Sequence, residues 1–130
     1  MNKVLIVDDD EDLLLIIGEY LGSNGIEFHL AHSAAQARRR LSHCQYDLVI
    51  SDFNMPGESG LDLFRSTSFR HPRLPFILMS GNLDSRLKRE AISMGVCNFV
   101  EKPFELSYLK SLITNPDRSP MQAGIGAPAA

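Results

Sequence analysis

Four short apolar runs, at residues 4–7, 48–51, 76–79 and 99–101, each lead into a reactive polar residue: Asp8 and Asp9, Asp52, Ser80 and Lys102. Runs of this length that alternate with stretches of helical periodicity read as buried parallel strands. In open parallel sheets, ligands gather beyond the carboxyl ends of the strands. The four polar endings are therefore expected to converge on one site.

A chain of 130 residues suits one domain with a single core. The 44% apolar and 22% charged fractions match ordinary soluble proteins and argue against disorder, fibrous repeats or a membrane protein. A net charge of -3 provides no broad field for polyanions, so nucleic-acid binding is not expected. No apolar stretch approaches the roughly 20 residues of a membrane helix, and Met1-Asn2-Lys3 leads straight into a strand-like run, so the cytoplasm is the expected location. Cys44 and Cys97 lie far apart without metal-ligand spacing and read as inert thiols.

Residues 3–7 read as the first strand, after which Leu13, Ile16, Ile17, Tyr20 and Leu21 recur at helical spacing until Gly22 and Gly25 stop the helix. Residues 26–31 form a weaker second strand. Ser33 with Gln36 makes a capping-box start for a helix that turns Ala34, Ala37 and Leu41 inward. Residues 47–52 supply the third strand, Met55-Pro56-Gly57 interrupts regular structure, and Leu61 and Phe64 begin the third helix. Pro72 and Pro75 mark the entry to a fourth strand at 74–80. Asp84 can cap a fourth helix carrying Leu87, Ala91 and Met94, with Gly95 placed to end it. A fifth strand at 98–101 precedes a helix with a stripe of Leu106, Leu109 and Leu112 or Ile113. From Asn115 onward, Pro116, Pro120 and Pro128 with Gly124 and Gly126 mark a tail or linker. Gly124-Ile125-Gly126 has no strand before it or helix after it and is not read as a nucleotide loop. Five alternating units predict an α/β fold whose parallel sheet is covered on both faces.

At the strand ends, the carboxylates of Asp8, Asp9 and Asp52 would meet, and unit charges about 5 Å apart repel by about 3 kcal/mol at an effective dielectric near 20. A cation must offset that. Mg²⁺ suits hard carboxylate oxygens while leaving room for waters and phosphate. Lys102 adds a second positive charge and Ser80 a hydroxyl donor. A carboxylate among such groups is equipped to attack phosphorus and become an aspartyl phosphate. Asp52 is the expected nucleophile, because it stands alone on the central third strand while Asp8 and Asp9 form a pair suited to the metal.

Four segments in order, Ile6-Val7-Asp8-Asp9-Asp10, Val49-Ile50-Ser51-Asp52-Phe53-Asn54-Met55-Pro56 with Gly60-Leu61, Leu78-Met79-Ser80-Gly81 and Phe99-Val100-Glu101-Lys102-Pro103-Phe104, are together highly specific. They resemble the receiver domain of two-component response regulators, of the chemotaxis-regulator-like kind. The resemblance implies a receiver unit over residues 1–115 and a flexible tail or linker over 116–130. It implies a flavodoxin-like, doubly wound, five-stranded parallel sheet in the order 2-1-3-4-5 with five helices.

By the same resemblance Asp52 is the phosphoacceptor, and Asp9 and Asp52 bind Mg²⁺ through carboxylates. Asp8 helps through water, and Asn54 contributes its backbone carbonyl. Lys102 pairs with the phosphoryl group, and Lys102-Pro103 stands where the family tends to have a cis peptide. Ser80 and Phe99 are the switch pair. Asn54, Gly81 and Asn82 govern access to the aspartate. The family often has tyrosine where this chain has Phe99, which keeps the packing part of the switch and lacks the hydroxyl.

The implied partners are a histidine kinase or histidine phosphotransfer protein, a downstream effector and, through the face of helix 4, strand 5 and helix 5, a second copy. Such a domain catalyses its own modification and is not otherwise an enzyme. A phosphorylation-independent interaction module is the alternative, and the intact Asp8, Asp9, Asp52, Ser80 and Lys102 set argues against it. A flavin-binding or phosphatase role lacks support, since Asp8 and Asp9 stand where a flavin phosphate would lie. Arg38, Arg39 and Arg40 read as the wet face of an amphipathic helix, whereas Arg86, Lys88 and Arg89 lie on the helix that the family uses for signalling. His43 and His71 read as solvent-facing.

Overall fold

In the computed structural model the described residues are 3–81 and 85–116. Among them, strands β1 (Lys3–Val7), β2 (Glu27–Ala31), β3 (Leu48–Asp52), β4 (Phe76–Ser80) and β5 (Asn98–Glu101) alternate with helices α1 (Glu11–Ser23), α2 (Ala34–His43), α3 (Gly60–Arg70), α4 (Ser85–Met94) and α5 (Leu106–Thr114). All pairings are parallel and the order is β2-β1-β3-β4-β5, the expected flavodoxin-like sheet. Expectations for Asn82, for Asp84 as a helix cap and for the tail beyond Pro116 fall outside the described residues. No helix of the described residues is long and apolar enough to cross a membrane.

The sheet divides the core in two. One face carries Val4, Ile6, Ile50 and Ile77 against Leu14, Ile17 and Leu21 of α1 and Leu109, Leu112 and Ile113 of α5. The other carries Leu5, Val7, Val49 and Leu78 against α2, α3 and α4 through Ala37, Leu41, Leu63, Phe64 and Ala91. Central strands β3 and β4 are buried at every position, which is why each reads as an apolar run as far as its polar end, Ser51 and Asp52 in β3 and Ser80 in β4. Edge strand β2 is half-buried, and Arg40 Nε donates to its Leu30 carbonyl at 2.9 Å, blunting the edge.

Local signals match with instructive exceptions. Asp10 caps α1 by accepting from Leu13 N, and Ser33 caps α2 by accepting from Gln36 N. Gln36 does not close the box on Ser33: its Oε1 accepts from His32 N instead. Gly22 lies inside the last turn of α1, and the chain turns out at Gly25, where φ is +72°. The inward face of α1 is Leu14, Ile17, Gly18 and Leu21, while Ile16 is 52% exposed. Residues 13–17 are apolar all round, so spacing does not choose a face. The packed face also carries Gly18, where an added Cβ would stand 3.0 Å from the Phe28 ring, so the helix lies close over β2 there. In α4 only Ala91 is fully buried, with Leu87 and Met94 half-buried.

Candidate functional site

Register builds the site. Val7 pairs with Ser51, so Asp8 and Asp52, one residue further along the chain, lie side by side at the carboxyl edge of the sheet. Ser80 pairs with Glu101, which places Lys102 just past the end of β5. The Lys102–Pro103 peptide is cis. Carboxylate oxygens of Asp8, Asp9 and Asp52 all lie within 4.8 Å of one another.

Lys102 offsets part of this negative charge. Its Nζ donates to Asp8 Oδ2 at 2.8 Å and stands 3.4 Å from Asp52 Oδ1, so it bridges both buried acids and sits closer to Asp8. Asp8 also accepts from Asp10 N at 2.9 Å. Burial raises the Asp52 pKa to about 6, with the Asp8 charge adding to the rise and Lys102 and the Asn54 N–H opposing it. Burial works to lower the pKa of Lys102, but its hydrogen bond and charge pairing with Asp8, then Asp52, leave it raised.

Hard carboxylate oxygens at these separations fit a small divalent cation such as Mg²⁺. Asp8 is committed to Lys102 and to the Asp10 N–H, whereas Asp9 is exposed and has no hydrogen bond or ion pair among the described residues. Asp9 and Asp52 are therefore better placed for direct ligation, and Asp8 for a second layer.

The remaining expected residues surround this centre. Ser80 is buried at the end of β4, and Asn54 Nδ2 reaches its Oγ at a long 3.5 Å. Gly81 is exposed, and a Cβ there would meet Lys102 Cβ at an ordinary 3.8 Å. Phe99 is buried in the cluster with Leu78, Ala91 and Val96. His43 and His71 are exposed; His29 is instead bonded to the Tyr46 hydroxyl at 2.6 Å, away from the site.

Two contacts have no counterpart in the sequence reading. A Cβ on Gly60 would lie 2.2 Å from the Asp52 carbonyl oxygen, so α3 begins directly against the backbone of the central aspartate. Glycine at the head of a helix, straight after the capping Ser59, was the available signal. Arg38 does not simply line a wet face: it pairs with Glu58, in the segment between β3 and α3. Nothing in the local sequence of α2 announces that contact.

Residues 4–114 match the family model for the response regulator receiver domain. The chain is 33% identical over 114 residues to the response regulator protein PilR of Pseudomonas aeruginosa, covering 86% of this chain and 25% of PilR. It is 39% identical over 102 residues to the C4-dicarboxylate transport transcriptional regulatory protein DctD of Rhizobium meliloti, covering 78% of this chain and 22% of DctD. It thus spans about a quarter of the length of these relatives. Among solved structures, a response regulator receiver protein from Pseudomonas putida superimposes with a TM-score of 0.82 at 34% identity, covering 87% of this chain and 95% of that one. The receiver domain of NtrX from Brucella abortus gives 0.81 at 28%, covering 88% and 97%. With that match running from β1 to the end of α5, the chain belongs to the response regulator receiver domain family.

Proposed function

We propose that residues 1–115 form a phosphoacceptor switch, with 116–130 as tail or linker, and that Asp52 takes a phosphoryl group from a histidine kinase or histidine phosphotransfer protein. The observation that carries this reading is the Lys102 ammonium held between buried Asp8 and Asp52, beside a third carboxylate, Asp9. A pKa of about 6 leaves Asp52 mostly ionised at pH 7, as a nucleophile must be.

An Asp52 oxygen attacks phosphorus in line, the P–N bond to the donor imidazole breaks with its electron pair returning to nitrogen, and a P–O bond completes the acyl phosphate. Mg²⁺, held by Asp9, Asp52 and the Asn54 carbonyl with Asp8 behind them, would neutralise the phosphoryl oxygens. Lys102 moves its charge from Asp52 to the new anion. Asn54, Gly81 and Asn82 set water access to the acyl phosphate and hence its lifetime.

The phosphoryl group adds about -1.5 to -2 charges, to which the Ser80 hydroxyl is drawn. Phe99 packs into the space released, and the α4, β5 and α5 surface changes for a downstream effector or a second copy. Displacing α4 is cheap, since Ala91 is its one fully buried residue. This domain has no assigned contact with nucleic acid or membrane, and acts in the cytoplasm.

The test is incubation with Mg²⁺ and a small acyl phosphate donor. An acid-stable, base-labile adduct on Asp52, absent from Asp52→Asn and without divalent cation, is the expected result. A folded, metal-binding protein that forms no adduct would refute it and favour the phosphorylation-independent interaction module.

A further inference from the structure

Residues 53–59 carry Asn54 out over the site and return the chain to α3 at Gly60. The base of this loop is pinned by backbone: Phe53 N donates to Met79 O at 2.7 Å and Gly60 N to Phe53 O at 2.9 Å. Its outer part contains Gly57, at φ +82°, a conformation that glycine alone adopts freely. Met55 packs against the core cluster beneath the loop, and two polar side-chain contacts add to that anchor, Asn54 to Ser80 and Glu58 to Arg38.

Arg38 stands in the middle of α2 and uses its guanidinium fork twice. Nη2 donates to the Glu58 carboxylate, and Nε donates to Ser66 Oγ of α3 at 3.3 Å. Ser66 in turn donates to Leu63 O at 3.1 Å, so the fork is itself held while it holds the loop. Both partners are partly exposed, and such a pair contributes little to global stability. Its consequence is positional.

We propose that Arg38 is a positioning residue for the phosphoryl site: through Glu58 it fixes the loop that presents the Asn54 carbonyl to the cation. This rests on the phosphoacceptor reading above. The sign of the effect separates positioning from simple electrostatics. Removing the Arg38 cation would strengthen Mg²⁺ binding through charge alone, and removing the Glu58 anion would weaken it. Loss of positioning weakens binding in both variants.

Isothermal titration of Mg²⁺ into the parent, Arg38→Ala, Glu58→Gln and the double variant tests this, alongside the thermal midpoint without metal and the rate of adduct formation. Each single variant is expected to lose on the order of fivefold in Mg²⁺ affinity, below the 10- to 100-fold typical of a group bonded directly to a ligand. Thermal midpoints should stay near that of the parent, and the double variant should be no worse than either single, as for two ends of one contact. Arg38→Lys, which keeps the charge without the fork, should recover only part of the affinity. Parent-like or tighter Mg²⁺ binding by Arg38→Ala, or strictly additive losses in the double variant, would overturn the proposal. If Arg38→Ala unfolds, Arg38→Lys decides it, because it keeps the charge: weaker Mg²⁺ binding than the parent supports positioning, and parent-like binding overturns it. A parent that binds no Mg²⁺ would overturn the phosphoacceptor reading and this proposal together, whereas a competent parent with unaffected variants overturns the positioning role alone.

Discussion

Asp52 is held at a cost to the fold, and replacing it with asparagine should release that cost. Its side chain is 9% exposed, and its pKa stands near 6 against an ordinary 3.8. A carboxyl whose folded pKa is raised binds its proton more tightly in the native state than in the unfolded one. Stability therefore falls as pH rises from about 4 through 6 and levels off above. The gap of about 2 pH units corresponds to about 3 kcal/mol of native-state destabilisation once Asp52 is fully ionised. Asp52→Asn keeps the shape without the charge, and Lys102 retains Asp8 as a partner at 2.8 Å. In urea denaturation without divalent cations, the variant should exceed the parent by about 3 kcal/mol near pH 8 and by less than about 1 kcal/mol near pH 4. For a domain of this size the gain near pH 8 corresponds to a rise on the order of 10 °C in thermal midpoint. Equal stability near pH 8, or a gain that does not change with pH, would refute the account of a buried aspartate opposed by burial and Asp8.

Two further substitutions probe the scaffold. Gly60→Ala would place a methyl 2.2 Å from the Asp52 carbonyl oxygen, so α3 must shift; a loss of about 1–3 kcal/mol in urea unfolding and slower adduct formation are expected, and parent-like behaviour in both assays would contradict the close approach. Thr67 Oγ1 is buried in α3 without a hydrogen-bond partner among the described residues, so Thr67→Val should be neutral or stabilising by up to about 1 kcal/mol in the same assay, and a loss above that would reveal a satisfied hydroxyl.

The architecture was legible because burial on both faces writes itself into sequence. Strands β3 and β4 are apolar up to their polar carboxyl ends, the turn at Gly25 and the caps at Asp10 and Ser33 are local chemistry, and strand-end acids announce a site wherever the sheet is parallel. The rotation of α1 was not legible, because five consecutive apolar residues carry no preferred face until the helix packs on the sheet. The Gln36 hydrogen bond to His32 N likewise depends on how the β2–α2 turn folds, which a box motif does not specify.

Sequence alone determined the parallel α/β sheet, its two helical layers and the residue types gathered at its carboxyl edge, since periodicity and strand-end polarity are properties of the chain read in order. Tertiary structure decided how those residues share charge: that Lys102 sits nearer Asp8 than Asp52, that burial and Asp8 together raise the Asp52 pKa, and that Arg38 reaches Glu58. These depend on distances between segments up to 94 positions apart, and electrostatic interaction depends on separation in space and on burial, neither of which is encoded in sequence spacing.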